Sequence, residues 1–258
     1  MNKIFITGAS SGIGKSLAFA YAKRKCVIGL SARRVSLLDE VYKKCIVLGG
    51  IPYVYKLDVQ DAENCRMVSK QFIKDAKGID CVIANAGIGG IDNLFSGSSN
   101  QINNIIKTNL IGVTNTLMPF IPKMRMQNKG SLVCISSVAS FFPLPLHGGY
   151  SSSKRAVRMI FDSWRPRLKN YNIKTICICP GFIDTAMVSR TTGILPLKSP
   201  NDAAEKFLFA IKRGKINYIY PWQYYILILV TSIIPKRLYD FIIKKMFPKP
   251  ITKKLNNL

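Results

Sequence analysis

Tyr150 and Lys154 have the residue types and spacing that acid–base chemistry requires. Residues four positions apart on a helix lie on the same face, one turn from each other. A tyrosine hydroxyl titrates near pH ~10, so proton transfer near neutrality needs its anion favoured by about 3 pKa units, or about 4 kcal/mol. A fixed ammonium group nearby has the right charge for this. Ser137, thirteen positions before Tyr150, adds a hydroxyl. The pattern alone is weak evidence in a lysine-rich chain, so its meaning depends on the elements that position it.

Strand-like and helix-like segments alternate along the chain with short connections, which predicts a parallel sheet covered on both faces. The predicted strands are Ile4–Thr7, Val27–Ser31, Tyr53–Leu57, Cys81–Asn85, Ser131–Ser136, Thr175–Cys179 and Asn217–Tyr220. The predicted helices are Ile13–Lys25, Ser36–Lys44, Ala62–Lys74, Asn100–Met126, Tyr150–Lys169 and Asn201–Lys212. No linker or repeat interrupts them. We therefore predict an α/β fold with a doubly wound, seven-stranded parallel sheet of the Rossmann type over residues 1–220, and a helical C-terminal extension over residues 221–258.

A glycine-rich turn, Thr7-Gly8-Ala9-Ser10-Ser11-Gly12-Ile13-Gly14, joins the first predicted strand to the first helix. Glycines allow a tight turn and let backbone N–H groups approach a pyrophosphate at a helix N-terminus, where the helix dipole also favours negative charge. The spacing is G-x3-G-x-G, which differs from the common G-x-G-x-x-G fingerprint. Its position between strand and helix predicts a dinucleotide site.

Together with Tyr150, Lys154 and Ser137, this turn resembles the pattern of the short-chain dehydrogenase/reductase family. Further matches in order and spacing, over roughly residues 1–220, are Asn85-Ala86-Gly87, Asn109 and Pro180-Gly181. The chain departs from the family at Ala84, where a second asparagine is frequent, and at Ser11, where some members have a basic residue. Neither position belongs to the catalytic set.

The resemblance implies four catalytic residues. Tyr150 would exchange a proton with a substrate oxygen while NADPH delivers hydride to the carbon, or the reverse. Lys154 would hold the nicotinamide ribose and lower the pKa of the tyrosine. Ser137 would orient the substrate oxygen, with Ser136 as its neighbouring competitor. Asn109 would position a water that relays protons to Lys154.

The end of the second strand indicates which cofactor is used. An acidic residue there bonds the free 2′-hydroxyl of NAD, whereas arginine accommodates the 2′-phosphate of NADP. This chain reads Leu30-Ser31-Ala32-Arg33-Arg34. We therefore predict NADP(H) over NAD(H), with Arg33 as the main phosphate partner and Arg34 as support.

The full set of predicted cofactor contacts combines these residues with those that the resemblance implies at the adenine, ribose and nicotinamide. They are Gly8, Ser10, Ser11, Gly12, Ile13, Gly14, Arg33, Arg34, Asp58, Val59, Asn85, Ala86, Gly87, Tyr150, Lys154, Pro180, Gly181, Ile183 and Thr185.

Apolar residues on both sides of the expected site favour a lipophilic substrate. One set lies in the loop over residues 186–199 and comprises Met187, Val188, Ile194, Leu195 and Leu197. The other precedes Tyr150 and comprises Phe141, Phe142, Leu144 and Leu146. His147, three residues before the tyrosine, is interpreted as a loop residue without a chemical role.

Composition narrows the class of partner. The chain has 38 Lys and Arg against 13 Asp and Glu, a net charge of +25, which favours an anionic partner. The basic residues are scattered rather than interleaved with aromatics, so no nucleic-acid groove is predicted. Seven cysteines inside apolar runs indicate reduced core thiols in a cytoplasmic protein, and a single histidine argues against a metal site. The first strand begins almost at Met1, which leaves no room for a signal peptide.

The C-terminal extension falls outside the family pattern. Residues 216–234 contain no charged side chain, but only the thirteen residues 222–234 remain after the last strand. As a helix they would measure about 20 Å against a bilayer core of about 30 Å, too short to span.

A second helical segment follows, over residues 236–247. Its predicted apolar face comprises Leu238, Tyr239, Ile242, Ile243, Met246 and Phe247. From Pro235 onward, seven basic residues (236, 237, 244, 245, 249, 253 and 254) stand against the single acid Asp240. We favour peripheral contact of residues 222–247 with the cytoplasmic face of a membrane, and a subunit interface or a lid over the site are the alternatives.

Three functions are weighed. The leading one is an NADPH-dependent enzyme that interconverts a carbonyl and a secondary alcohol on a lipophilic small molecule. The second is a 3-oxoacyl-[acyl-carrier-protein] reductase, for which a basic cluster would bind the acidic carrier: Lys123, Arg125, Lys129, Arg165, Arg167 and Lys169. The third is a non-catalytic NADP-binding scaffold, which the intact catalytic set disfavours. The resemblance also implies a homo-oligomer, a dimer or tetramer paired through the two long helices.

Overall fold

Seven parallel strands form one sheet in the order β3-β2-β1-β4-β5-β6-β7, which confirms the predicted doubly wound fold. The computed structural model describes residues 1–188 and 197–246. The strands are β1 Lys3–Thr7, β2 Val27–Ala32, β3 Ile51–Lys56, β4 Cys81–Ala84, β5 Gly130–Ile135, β6 Ile173–Pro180 and β7 Asn217–Tyr220. The α-helices are α1 Gly12–Ala22, α2 Ser36–Val47, α3 Ala62–Asp75, α4 Asn100–Ile106, α5 Gly112–Leu117, α6 Ile121–Met126, α7 Gly148–Lys169, α8 Pro200–Arg213, α9 Gln223–Ile233 and α10 Lys236–Met246.

Side chains alternate across the sheet and fill a hydrophobic core on each face. In β1, Ile4 and Ile6 belong to the core beneath α1, α2 and α8, whereas Phe5 points to the opposite core beneath α3, α5 and α7. There the Phe5 ring lies 5.3 Å from that of Phe72 and 5.1 Å from that of Phe120. Both faces of the central strands are therefore buried, as continuous apolar runs in a parallel sheet require.

The strand order reverses between β1 and β4, which are neighbours with Ile6 opposite Ile83. In open α/β sheets the ligand crevice lies outside the carboxyl ends of the strands at this point of reversal. The glycine-rich turn after β1 and the Asn85-Ala86-Gly87 segment after β4 both lie at that edge. The topology thus brings together segments that are far apart in the sequence.

Several predicted elements begin or end one to three residues away from their bounds in the structure. The third strand begins at Ile51, two residues earlier than predicted. Pro52 is tolerated there because β3 lies at the edge of the sheet, where a missing N–H breaks no ladder.

The predicted helix Asn100–Met126 is also interrupted. A π-helical turn, Lys107–Ile111, separates α4 from α5, and a 3₁₀ turn, Met118–Phe120, separates α5 from α6. Pro119 and Pro122 lack the N–H that a regular helix would use. π-Turns are frequent at functional sites, and this one contains Asn109.

The C-terminal segments form α9 and α10 after β7. No helix within residues 1–188 and 197–246 is long and apolar enough to cross a membrane. Several residues named in the sequence predictions lie outside what the structure describes: Ile194, Leu195, the side chains of Ile243, Lys244 and Met246, and residues 247–258.

Candidate active site

The glycine-rich turn has the close packing that its sequence predicts. Gly8 and Gly12 have φ of +66° and +52°, a region that favours glycine. Gly14 has no room for a side chain, since a Cβ there would lie 2.3 Å from the carbonyl oxygen of Gly8. The first turn of α1 is thereby held against the loop that precedes it.

At the N-terminus of α1, which faces the crevice, no side chain of the helix or of its N-cap occupies the free backbone N–H groups. Ser11, the N-cap, makes no side-chain capping hydrogen bond, and the first turn contains no acidic residue. Its N–H groups and its helix dipole are therefore suited to an anion such as a pyrophosphate. Together with the glycine packing, this arrangement fits an NAD(P) dinucleotide.

Thr7 and Asn85 fasten the turn to the end of β4. The Asn85 side-chain amide donates to the carbonyls of Thr7, at 2.9 Å, and Gly8, at 3.1 Å. The Thr7 hydroxyl accepts from the backbone N–H groups of Asn85 and Ala86, at 3.1 and 3.2 Å. The side chain of Asn85 thus holds the turn in shape, a role that the sequence analysis did not assign to it.

Arg33 and Arg34 follow β2, and both are exposed while lining the cleft. Neither forms an ion pair with any residue that the structure describes. Asp58 and Val59, after β3, line the same end of the cleft. The guanidinium groups therefore remain available to an anionic ligand.

Ser136 and Ser137 follow β5 and have different partners. The Ser136 hydroxyl donates to the backbone carbonyl of Lys154 at 3.1 Å, so it fastens α7 to the sheet. The Ser137 hydroxyl accepts from the Ala139 N–H at 3.1 Å, lies 3.5 Å from the Pro180 carbonyl oxygen and is close enough to Tyr150 to influence its pKa. Both serines line the cleft, and the choice of Ser137 over Ser136 for contact with a substrate stays a prediction.

Tyr150 and Lys154 lie one turn apart on α7, and both line the cleft. The Lys154 ammonium lies 5.7 Å from the centroid of the Tyr150 ring and donates to the carbonyl of Ile135 at 2.8 Å. Lys154 is only 5% exposed. The lysine is therefore fixed by β5 rather than free to swing toward solvent.

Burial shifts the pKa of both residues. It lowers the pKa of Lys154 to about 8, although the nearby thiols of Cys134 and Cys179 act in the opposite direction. It raises the pKa of Tyr150 above its usual value, and the hydrogen bond from Ser137 offsets only part of that rise. The direction for Tyr150 is opposite to the lowering predicted from the sequence, because desolvation of the phenolate dominates.

Asn109 is fully buried behind the cleft wall. Its side-chain oxygen accepts from the Ile88 N–H at 2.8 Å, and its amide donates to the Ile88 carbonyl at 2.9 Å and lies 3.3 Å from the Ser153 hydroxyl. These contacts fix the chain just after Gly87. The structure shows a positioning contact, and the proton relay through Asn109 stays a prediction.

Asp92 holds the start of α7, a contact that the sequence analysis missed. Its buried carboxylate accepts two hydrogen bonds from the Gly149 N–H, at 3.0 and 3.3 Å, beside Tyr150. His147 reaches the same loop, with Nδ1 2.7 Å from the carbonyl oxygen of Gly90. Asp92 therefore supplies the negative charge that the N-terminus of α7 otherwise lacks.

One cleft collects nearly all the predicted residues. All the predicted cofactor contacts except Gly14 line it, as do Ser137, Tyr150 and Lys154. Gly14 and Asn109 stand behind its wall. Of the apolar residues expected around the substrate, Met187 and Val188 line the cleft, whereas the lining does not include the described residues Phe141, Phe142, Leu144, Leu146 or Leu197. Arg158 lies 3.5 Å from the centroid of the Phe141 ring in the loop before α7.

The model of the short chain dehydrogenase family matches residues 2–193. The chain belongs to this family. It is an NAD(P)-dependent oxidoreductase, which confirms the resemblance stated from the motifs.

Relatives and solved structures support this membership. An uncharacterized oxidoreductase of Myxococcus xanthus (strain DK1622) is 31% identical over 236 residues, covering 91% of this chain and 93% of that protein. The chain is also similar to Estradiol 17-beta-dehydrogenase 11 of Mus musculus, with 26% identity and coverage of 91% and 80%. Among solved structures, the alcohol dehydrogenase of the archaeon Thermococcus sibiricus, complexed with 5-hydroxy-NADP, has a TM-score of 0.76 and 28% identity, covering 85% of this chain and 94% of that one.

Proposed function

We propose that this short-chain dehydrogenase interconverts a carbonyl and a secondary alcohol on a lipophilic small molecule, with NADP(H) as its cofactor. The observation that carries the proposal is that Ser137, Tyr150 and Lys154 line the same cleft as the glycine-rich turn and the two arginines after β2. When bound, the nicotinamide supplies or accepts the hydride. The chain's own residues would bind the cofactor, orient the substrate and move the proton.

Tyr150 is the proposed general acid and base. Tyrosine is protonated near neutral pH even at its usual pKa of ~10, so the phenol is in the form that can donate a proton to a carbonyl oxygen during reduction. The Lys154 ammonium would favour the anion that forms, against the burial that raises the pKa of Tyr150. The Ser137 hydroxyl lies close to Tyr150 and would turn its single proton from the Pro180 carbonyl toward the substrate oxygen, fixing that oxygen within reach of the phenol. In the oxidative direction, the same proton returns from the alcohol to the tyrosine.

Lys154 is the proposed ribose contact. Its hydrogen bond to Ile135 orients the ammonium, and a Cβ built at Gly87 would lie 3.4 Å from Nζ, which shows how closely the lysine approaches the chain after β4. A ribose passing along Gly87 would therefore meet this ammonium. Asp92 and Asn109 would support the arrangement by holding α7 and the Ile88 segment in place.

Arg33 and Arg34 support the preference for NADP(H). Both guanidinium groups are exposed at the end of β2, and neither is paired with an acid among the described residues. Arginine binds phosphate through charge-assisted, often bidentate hydrogen bonds. The Thermococcus sibiricus enzyme, which resembles this chain in fold, was solved with an NADP derivative.

The apolar surroundings of the cleft support a lipophilic substrate. Met187 lines the cleft with 47% of its surface exposed, and Phe141, Phe142 and Leu144 are partly buried in the loop before Tyr150. The mouse relative is named for estradiol, an apolar alcohol. The apolar members of the lining, which include Ile88, Ile183, Met187 and Val188, therefore favour a ketone or secondary alcohol on an apolar skeleton.

A carrier-bound 3-oxoacyl substrate is less well supported. Three members of the basic cluster expected to bind an acidic carrier have partners within the chain. Lys129 lies 3.5 Å from Asp80, Arg165 pairs with Asp162, and Arg125 lies 5.0 Å from the centroid of the Tyr171 ring. The two ion pairs reduce the positive charge available to an acidic carrier on this face.

A substrate panel tests the proposal. Purified protein is assayed with apolar ketones, aldehydes, 3-oxoacyl thioesters and 3-oxoacyl carrier protein, each with NADPH and with NADH. We expect the highest kcat/KM for apolar ketones and ~10-fold or greater preference for NADPH. Turnover confined to carrier-bound substrates would replace this proposal by the second function, and turnover with no substrate alongside tight NADPH binding would favour the scaffold.

A further inference from the structure

Helix α9 contacts the domain along a narrow stripe and leaves most of its apolar surface exposed. Tyr224 is its buried residue, while Ile228 and Thr231, one and two turns later, are half-buried. The remaining apolar side chains are exposed, namely Tyr225, Ile226, Leu227, Leu229, Val230 and Ile233. Trp222, just before the helix, is 66% exposed, and Ile233 is 80% exposed. Contiguous apolar surface of this kind marks an interaction site.

The hydroxyls of Thr231 and Ser232, in the second half of α9, bond to the helix itself. The Thr231 hydroxyl donates to the Leu227 carbonyl at 2.9 Å, and the Ser232 hydroxyl donates to the Leu229 carbonyl at 2.7 Å. Hydroxyls satisfied in this way need no partner in water. The helix can therefore enter an apolar medium without leaving these groups unsatisfied.

Helix α10 places positive charge beside this apolar surface. Lys236, Arg237 and Lys245 are exposed, and none has an ion-pair partner within residues 1–188 and 197–246. Leu238 and Phe241 on the same helix are 48% and 64% exposed. Apolar side chains flanked by unpaired basic ones are the features of a helix that lies in the interface of an anionic membrane.

Two tyrosines hold the pair of helices at the mouth of the catalytic cleft. Tyr224 packs on Gly181, where an added Cβ would lie 2.2 Å from its ring, and its own ring lies 6.4 Å from that of Phe182. The Tyr239 hydroxyl donates to the Pro143 carbonyl at 2.5 Å. Gly181 lines the cleft, and Pro143 lies in the loop before Tyr150. The exposed apolar and basic surface is thus adjacent to the substrate side of the site.

We propose that α9 and α10, with Trp222, form a docking surface for an anionic lipid bilayer, so that the cleft opens next to the membrane. The basic side chains contact lipid phosphates while the apolar side chains of α9 enter the acyl boundary. The charge of the whole chain, +25, has the same sign and adds to the attraction. The proposal concerns binding alone and does not depend on the chemistry of Tyr150.

Vesicle sedimentation tests it with matched variants. Full-length protein is mixed with vesicles of phosphatidylcholine alone or of phosphatidylcholine with phosphatidylglycerol. The apolar variant is Ile233→Ser with Phe241→Ser, and its control is Val47→Ser with Met126→Ser, at positions 77% and 80% exposed elsewhere on the surface. The charge variant is Lys236→Glu with Arg237→Glu, and its control is the adjacent exposed pair Lys43→Glu with Lys44→Glu on α2.

We expect the wild type and both controls to bind the anionic vesicles, and each tail variant to partition ~10-fold or more weakly. Equal losses in variants and controls would show attraction by net charge alone and would overturn the proposal. A wild type that binds no vesicles would also overturn the proposal. If the apolar variant converts a dimer into a monomer, the surface belongs to a second copy of the chain, and the proposal is likewise overturned. Thermal unfolding of every variant checks that the fold is retained.

Tryptophan fluorescence locates the contact. The chain has two tryptophans, and Trp164 stacks on Phe161 with 6.1 Å between ring centroids. Trp164→Phe leaves Trp222 as the reporter. Its emission should shift to the blue on addition of anionic vesicles. If the protein sediments with the vesicles but the emission spectrum does not change, the contact lies elsewhere and the proposal is contradicted.

Discussion

The Lys154 ammonium donates a hydrogen bond to the Ile135 carbonyl at 2.8 Å and lies 5.7 Å from the centroid of the Tyr150 ring. This relationship ties the end of β5 to the tyrosine one turn earlier on α7. Burial lowers the pKa of Lys154 to about 8, so the lysine is still mostly charged at neutral pH although desolvation disfavours its charged form. The catalytic face of α7 is therefore bound to the sheet at some cost in stability.

That cost predicts a specific dependence of stability on pH. An unfolded lysine titrates near ~10.4, so between about pH 8 and that value the unfolded chain binds more protons and the folded state gains stability as pH rises. The difference in free energy of unfolding between wild type and Lys154→Met should be flat below about pH 8 and then rise by about 3 kcal/mol toward pH ~10.4. Denaturant titrations across this range measure it. A difference that does not change with pH would contradict the burial of a charged lysine.

Arg33→Ala should weaken NADPH binding by ~10- to 100-fold, the range expected for losing charge-assisted hydrogen bonds to a phosphate. NADH binding should change little, because NADH lacks the 2′-phosphate. Arg34→Ala should have a smaller effect in the same direction. Quenching or enhancement of nicotinamide fluorescence gives both dissociation constants, and Arg213→Ala, at the exposed end of α8, is the control. An equal loss of affinity for NADH and NADPH would show that the arginines do not discriminate between the two cofactors.

Asp92→Ala should lower kcat while leaving the KM for the cofactor unchanged, because the lost contact lies at the start of α7 beside Tyr150. Losing an acceptor at a helix N-terminus costs about 1 kcal/mol of stability. The matched control is Asp61→Ala, which removes the 2.9 Å cap of α3 outside the cleft and should lower stability similarly without changing kcat. Asp92→Asn keeps an acceptor and should restore much of the rate. A loss of kcat that tracks stability in both Asp92→Ala and Asp61→Ala would reduce Asp92 to a purely structural residue.

Gly14→Ala should weaken binding of NADPH and NADH alike, because its Cβ would lie 2.5 Å from the Asn85 amide as well as 2.3 Å from the Gly8 carbonyl. Overpacking of this kind costs about 1–3 kcal/mol. Gly97→Ala is the control: its φ of +68° makes alanine unfavourable, but no atom stands within 4 Å of the new Cβ and it lies outside the cleft. We expect both variants to be destabilised and only Gly14→Ala to bind cofactor more weakly. Unchanged cofactor affinity in Gly14→Ala would mean that the turn does not carry the dinucleotide.

Local sequence was sufficient for the sheet, the glycine-rich turn and the Tyr150 helix. Each depends on periodicity and on residues that are close along the chain, such as the four-residue interval between Tyr150 and Lys154. The fixed strand order of the doubly wound fold then brings Arg33, Asn85 and Ser137 to one edge. Local pattern and fold class together account for most of the cleft lining, although Ile88, Thr108 and Ile135 are among the lining residues that were not predicted.

The missed features depend on contacts between distant residues. Asp92 meets Gly149 across 57 positions, and no periodicity predicts which loop will reach the start of α7. The pKa of Tyr150 rises because the folded chain desolvates the phenol, an effect that the Y-x3-K spacing does not contain. The contact from Tyr239 to Pro143 crosses 96 positions and determines where the C-terminal helices lie.

The central claim is that Tyr150 moves the proton, and Tyr150→Phe tests it most directly. The measurement is NADPH oxidation with the best substrate of the panel under single-turnover conditions, alongside the dissociation constant for NADPH of the same preparation. We predict a fall in rate of ~10²-fold or more, the contribution of a general acid, with cofactor affinity within a factor of about two of the wild type. A Tyr150→Phe variant that binds NADPH and reduces the substrate at the wild-type rate would contradict the account.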